Sequence, residues 1–149
     1  MEGNPVKVAA GLIFKDGNLL ISKRPKGFHL GGMWEFPGGK LELDESYEIC
    51  LVREIREELG IDIKVLSEFD EVLHSYPEKT VLIKFFICSL FSGEPKAIQC
   101  SDFLWINRSD LIAYDFPSAD TKVVSRLRLN NIWSRTPQQW CRVSSRSPI

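Results

Sequence analysis

Three carboxylates, Glu54, Glu57 and Glu58, fall at i, i+3 and i+4. On a helix those positions are neighbours on one face. Like charges at that spacing repel, and here they lie in the last turn, where the helix dipole already disfavours anions. The cluster makes local sense if a cation occupies it. A hard divalent ion such as Mg²⁺, or Mn²⁺, takes oxygen ligands, and Mg²⁺ commonly bridges to substrate phosphates. Arg53 lies four residues before Glu57 and can hold its rotamer.

The surrounding residues supply the helix that positions this chemistry. Asp44 is the expected N-cap, and Glu45 places an anion in the first turn. Ile49, Val52, Ile55 and Leu59 recur at spacings that predict a buried stripe opposite the acids. Gly60 is suited to the left-handed residue that ends a helix. Together these residues read G-x5-E-x7-R-E-U-x-E-E-x-G-U from Gly39 to Ile61, with U aliphatic and every specified position filled. This pattern is the Nudix box, and the chain resembles the Nudix hydrolases. A solvated acidic face is the alternative reading of the acids alone.

Further motifs resemble the MutT-like branch, the nucleoside triphosphate pyrophosphohydrolases. They are the run from Arg24 through His29 to Trp34-Glu35-Phe36-Pro37-Gly38-Gly39-Lys40, then Tyr76-Pro77, Gly93-Glu94-Pro95, Trp105, and Asp115 to Asp120. The resemblance implies that the Gly39 carbonyl, Glu57 and Glu58 hold the metal. Glu54 is then a further metal ligand or the general base, and Arg53 completes the catalytic set. It implies that Arg24 holds the nucleotide, that Phe36 lines the base pocket, and that Tyr76 and Lys79 lie at its edge. Lys40 either faces the phosphates or is an ordinary exposed lysine. His29 and His74 read as surface residues.

Asp120 departs from the best-known MutT sequences, which carry Asn at the matching position, where it reads the purine. An ionised Asp only accepts hydrogen bonds. Such a carboxylate suits the N1–H and 2-amino pair of guanine, and also the 4-amino group of cytosine. Asp120 is equally suited to cap the last helix. The resemblance also implies an outer carboxylate from the loop before Trp105; Asp102 is the nearest acid.

The resemblance implies Mg²⁺-dependent hydrolysis of nucleoside triphosphates to monophosphate and pyrophosphate, with oxidised purine nucleotides such as 8-oxo-dGTP as leading substrates. The alternatives are CTP or methylated dCTP, and a non-catalytic nucleotide-binding module; the intact carboxylate set argues against the last.

Length and composition set the frame. One α/β domain over residues 1–130 is expected, a mixed sheet sandwiched between helices, followed by a poorly ordered tail over 131–149 with Trp133 and Trp140 as anchors. A net charge of −1 offers no basic field for stable nucleic-acid binding. No apolar run is long enough to cross a membrane, and no secretory signal is evident, so a cytoplasmic monomer or homodimer is expected. Cys50, Cys88, Cys100 and Cys141 show no CxxC spacing and read as buried thiols. Lys15-Asp16-Gly17-Asn18 is a hairpin turn, and strands are expected over 6–14, 19–23, 63–70, 81–91 and 103–106. Ser109-Asp110 should cap a short helical turn, and a second helix should cover 120–129.

Overall fold

A computed structural model describes residues 4–28 and 30–134. Strand β1 (Val6–Lys15) turns through Asp16 and Gly17 into β2 (Asn18–Lys23). Both turn residues have positive φ, 52° and 80°, which is what a two-residue hairpin matching the right-handed strand twist requires. Short strands β3 (Trp34–Glu35) and β4 (Gly38–Lys40) follow, then helix α1 (Tyr47–Leu59). Strands β5 (Asp62–Ser75) and β6 (Thr80–Ser92) form a long antiparallel pair. The chain ends its described part with β7 (Asp102–Ile106), a 3₁₀ turn over Arg108–Ala113, helix α2 (Thr121–Leu129) and a 3₁₀ turn over Asn131–Ser134.

The strands make one mixed sheet in the order β3-β2-β1-β6-β5, with β4 paired to β1 and β7 to β2. Strand β1 runs parallel to β6 at its centre. It is buried on both faces, which explains its nearly unbroken apolar sequence. Ala9 and Ile13 pack with Leu51, Ile55 and Leu59 of α1. Leu12 and Phe14 pack with Val123 and Leu127 of α2. The alternation of β1 thus joins two cores, and the sheet lies between two helices as expected.

Local details correct the sequence reading. The cap of α1 is Ser46, whose Oγ accepts from the Ile49 N–H at 3.1 Å. Asp44 has a left-handed φ of 65°, so the chain cannot enter the helix there. Ile49 lies about 160° around the helix from the buried Leu51 and is exposed. The buried side chains are Cys50, Leu51, Ile55, Glu58 and Leu59. The acids therefore border the apolar stripe, and Glu58 belongs to it. Gly60 ends the helix at φ 71°, its N–H bonded to the Arg56 carbonyl at 3.0 Å. At the later 3₁₀ turn the cap is Asn107, whose side chain accepts from the Asp110 N–H. Trp133 is buried edge-on against Phe14 and donates to the Leu127 carbonyl at 2.8 Å. Trp140, Cys141, His29 and the tail from residue 135 lie outside the described residues.

Candidate active site

The carboxylates stand over a backbone that only glycine permits at position 38, and that lies directly under the Glu54 carboxyl at position 39. A Cβ at Gly38 would collide with the Ala9 carbonyl oxygen, and a Cβ at Gly39 with the Glu54 carboxyl. Strand β4 thus presses against both β1 and α1. The Gly39 carbonyl accepts a weak bond from the Cys50 thiol at 3.5 Å.

Arg53 is the hub of the acidic cluster. Its guanidinium grips Glu45 through Nε at 2.6 Å and Nη2 at 2.9 Å, a bidentate pair. The same group reaches Glu54 at 3.0 Å and Glu57 at 3.3 Å. The expected Arg53–Glu57 contact is present, but Glu45 is the stronger partner. Its hydrogen bonds from Arg53 hold the Glu45 carboxyl down at about 2. Glu45 reaches this position because it precedes the helix, in a turn closed by the Glu42 N–H on its Oε1 at 2.8 Å.

Glu58 turns away from Arg53 into the protein, where Ser22 Oγ donates to it at 3.0 Å. Burial, with a contribution from the Glu35 charge, pushes its carboxyl up to about 8. Burial also raises Glu54 and Glu35 above the ordinary carboxylate range. Among the described residues no three acidic, histidine or cysteine side chains converge, as placed, around a cation position. Arg53 lies between Glu54 and Glu57 and is the cation the free cluster holds. The donors still fit a hard divalent ion. A backbone carbonyl and three carboxylates are oxygen ligands, and the raised Glu58 and Glu54 are carboxyls whose ionised form lacks a sufficient counter-charge.

A cavity of about 340 Å³ opens beside this cluster. Arg24, Phe36, Gly39, Lys40, Glu54, Tyr76, Lys79 and Asp120 all line it, so the residues expected at the nucleotide site are brought together. Arg53, Glu57 and Glu58 are not on its wall; Glu58 and Glu54 instead line a smaller adjoining hollow with Arg24, Glu35, Gly38 and Gln99. Phe36 is both core and wall. It is 4% exposed, stacked on Phe116 at 4.9 Å and edge-on to Phe85. Tyr76 and Lys79 close a turn on each other through their backbones, while His74 bonds Ser118 outside the cavity.

Asp120 makes no capping hydrogen bond at α2. A 3₁₀ turn over Ser118–Asp120 leads into the helix instead, and the side chain faces the cavity. Asp102 is exposed and accepts from the next backbone N–H. The residue of the β6–β7 connection that lines the hollow with the carboxylates is Gln99, its backbone N–H tied to the Glu58 carbonyl at 3.1 Å.

Glu35 is the residue sequence reasoning passed over. It pairs with Arg24 at 2.9 Å and lines both hollows. Its place between Trp34 and Phe36 was visible, but its role depends on Arg24, Glu58 and Asp120 meeting it in space. Ser22, buried against Glu58, carried no sequence signal at all.

Comparison with known proteins agrees with this geometry. An 8-oxo-dGTP diphosphatase of Proteus vulgaris is 41% identical over 95 residues, covering 63% of this chain and 85% of that protein. A CTP pyrophosphohydrolase of Escherichia coli is 32% identical over 115 residues, covering 77% and 85%. The crystal structure of a MutT protein from Methanosarcina mazei shares the fold, with a TM-score of 0.77 at 23% identity over 85% of this chain and 95% of that one. A family model for the NUDIX domain matches residues 9–126. That match spans most of a chain that lays a Gly-Gly strand against a helix ending in three carboxylates, and the chain belongs to the NUDIX family.

Proposed function

We propose that this protein hydrolyses nucleoside triphosphates to monophosphate and pyrophosphate with a divalent metal, Mg²⁺ or Mn²⁺, and that oxidised purine nucleotides such as 8-oxo-dGTP are its substrates. The carrying observation is one cavity that joins Glu54 and Gly39 at one end to Phe36 and Asp120 in its wall. It can take a phosphate chain and a base together.

The Gly39 carbonyl, Glu57 and Glu58 would hold the metal, with Glu54 beside them as ligand or base. When bound, the metal supplies charge neutralisation of the phosphates and a more acidic water. The chain's own residues do the rest. Lys40 and Arg24 line the cavity and offer cations to the phosphate oxygens, Arg24 in a planar fork. Arg24 is held by Glu35 in the free protein, so the ion pair sets its position before substrate arrives. Phe36, backed by Phe116, gives the base a flat apolar wall. Water adds at the β-phosphorus and the bond to the α–β bridging oxygen breaks, releasing nucleoside monophosphate and pyrophosphate.

A second reading, hydrolysis of CTP or methylated dCTP, is favoured by Asp120 and by the Escherichia coli relative's name. The partner in either case is a free nucleotide, and the protein acts as a monomer or homodimer without stable nucleic-acid contacts. Among the described residues no helix is long and apolar enough to cross a membrane. The deciding experiment is a product-resolved panel of 8-oxo-dGTP, dGTP, CTP and 5-methyl-dCTP with Mg²⁺ and Mn²⁺. Release of inorganic phosphate in place of pyrophosphate, or no turnover of any of the four, would end this proposal.

A further inference from the structure

Ser22 is fully buried on β2, in a run whose preceding residues Leu19, Leu20 and Ile21 are buried and apolar. A hydroxyl at such a position costs desolvation unless it is bonded. Its partner is Glu58, whose Oε2 accepts from Ser22 Oγ at 3.0 Å.

Both sides of this bond are fixed by backbone. Ser22 is paired with Glu35 of β3 on one side and with Phe103 of β7 on the other. The Glu58 carbonyl accepts from the Ile98 and Gln99 N–H groups, each at 3.1 Å, and the Leu59 carbonyl accepts from the Lys96 N–H at 2.9 Å. The Ser101 N–H and hydroxyl then both donate to the Lys23 carbonyl, at 3.0 and 3.2 Å. The β6–β7 connection thus ties the end of α1 to β2, next to Ser22.

We propose that Ser22 sets the metal preference of the site: by occupying Oε2 it restricts Glu58 to ligation through Oε1 alone, which favours Mg²⁺ and Mn²⁺ over Ca²⁺. This rests on Glu58 being a metal ligand, as in the reading above. Ser22 touches neither ion nor substrate and is a positioning residue.

The reason is geometric. Ligation through both oxygens needs both turned equally toward the ion. The Ser22 hydroxyl holds Oε2 toward β2, and the Gly38 N–H donates to the same carboxyl. Glu58 cannot rotate to follow an ion without breaking the Ser22 bond, and neither backbone yields. What remains open is the hollow that Glu58 lines with Gly38, Glu54 and Gln99. Mg²⁺ needs near-octahedral geometry at about 2.0–2.1 Å, which single oxygens supply. Mn²⁺ suits the same octahedral oxygen sites. Ca²⁺ takes roughly six to eight oxygens at about 2.3–2.6 Å and gains from a carboxylate that offers both. The outer partner of a metal ligand is typically worth about 10–100-fold in affinity.

The test is metal binding to the nucleotide-free full chain. Electron paramagnetic resonance counts free Mn²⁺, and Mg²⁺ and Ca²⁺ are titrated in competition with it. Ser22→Ala should weaken Mn²⁺ and Mg²⁺ by about tenfold or more and Ca²⁺ far less, so the Mg²⁺-to-Ca²⁺ affinity ratio falls by a similar factor. Ser22→Thr keeps the hydroxyl and should keep the ratio. Ser22→Cys has only a weak donor and should shift the ratio in the direction of Ser22→Ala, which keeps the test open if either other variant does not fold. In a Glu58→Gln background Ser22→Ala should change the ratio no further, since the two residues act as one unit. Equal weakening of all three ions would mean a merely structural role. That result, an unchanged ratio in Ser22→Ala or Ser22→Cys, the same shift without Glu58, or no Mn²⁺ bound by the wild type overturns the inference. Turnover of triphosphates is measured separately with Mg²⁺. A shifted ratio without turnover in the wild type sinks the enzymatic reading alone, and turnover with an unshifted ratio sinks this inference alone.

Discussion

Replacing Glu58 by Gln should stabilise the metal-free protein, and only at neutral to alkaline pH. Glu58 is 7% exposed, and burial with the Glu35 charge raises its carboxyl from 4.5 to about 8. Between those pH values the folded chain holds a proton that the unfolded chain has lost. Stability from this group is therefore fully present below about 4.5 and is lost as pH rises to about 8. At about 1.4 kcal/mol per pH unit the gap corresponds to about 5 kcal/mol. Water entry and side-chain relaxation lower this to about 2–4 kcal/mol. The amide oxygen of Gln still accepts the Ser22 hydroxyl, so the exchange removes a charge and leaves a bond. For a chain of this size that is a rise in Tm of about 5–15 °C at pH 8. At pH 5 the two proteins should melt within about 1 kcal/mol of each other. Calorimetric melts in EDTA at pH 5, 6.5 and 8 give the comparison. Adding Mg²⁺ should then raise the wild type more than the variant, because binding to the native state adds stability in proportion to affinity. A Tm difference that is the same at pH 5 and pH 8 would show that Glu58 does not carry the strain assigned to it.

Three further substitutions test other parts of the site. Glu57→Gln should lower kcat by about 100-fold or more, equivalent to about 3 kcal/mol, with circular dichroism unchanged; near-normal kcat in the folded variant removes the metal assignment. Gly39→Ala should cost activity more than stability if β4 can shift away from Glu54, and Mg²⁺ affinity measured by competition with a fluorescent chelator should fall with it; unchanged affinity would show that the close approach to Glu54 is dispensable. Ser46→Ala should destabilise by about 1 kcal/mol at every pH; an unchanged urea melt would show that Ser46 does not cap the helix.

What the sequence shows and hides follows from the range of each interaction. The hairpin at Asp16-Gly17 and the helix end at Gly60 were legible because both need a left-handed backbone that few residues supply. The acid positions were legible because their spacing is set by the helix itself. The phase of that helix was not. The left-handed Asp44 puts the cap at Ser46, and Ile49 faces solvent because the buried side is centred on Leu51, Ile55 and Glu58. Periodicity alone reads Glu58 as part of a charged face, since nothing local marks its burial. That burial depends on Ser22, thirty-six positions away, and on Glu35 across the hollow.

The same distinction separates the two kinds of acid here. Glu45, Glu54 and Glu57 share the guanidinium of Arg53, which offsets part of their charge before any metal arrives. Glu58, Glu35 and Asp120 surround the interior hollows, where Arg24 pairs with Glu35 and Lys40 and Lys79 also line the larger one. The outer set is partly compensated at rest. The inner set carries its cost in raised proton affinity, and ligands of the right charge and hydrogen-bonding pattern relieve it. A metal would relieve Glu58, a phosphate chain would draw on Arg24, and a base would satisfy Asp120. Binding and chemistry are thus coupled through one small group of under-compensated carboxyls, with the Glu35 charge acting on both Glu58 and Asp120. A substitution at Glu35 should consequently alter base preference and the pH dependence of turnover together, which a residue confined to either end would not do.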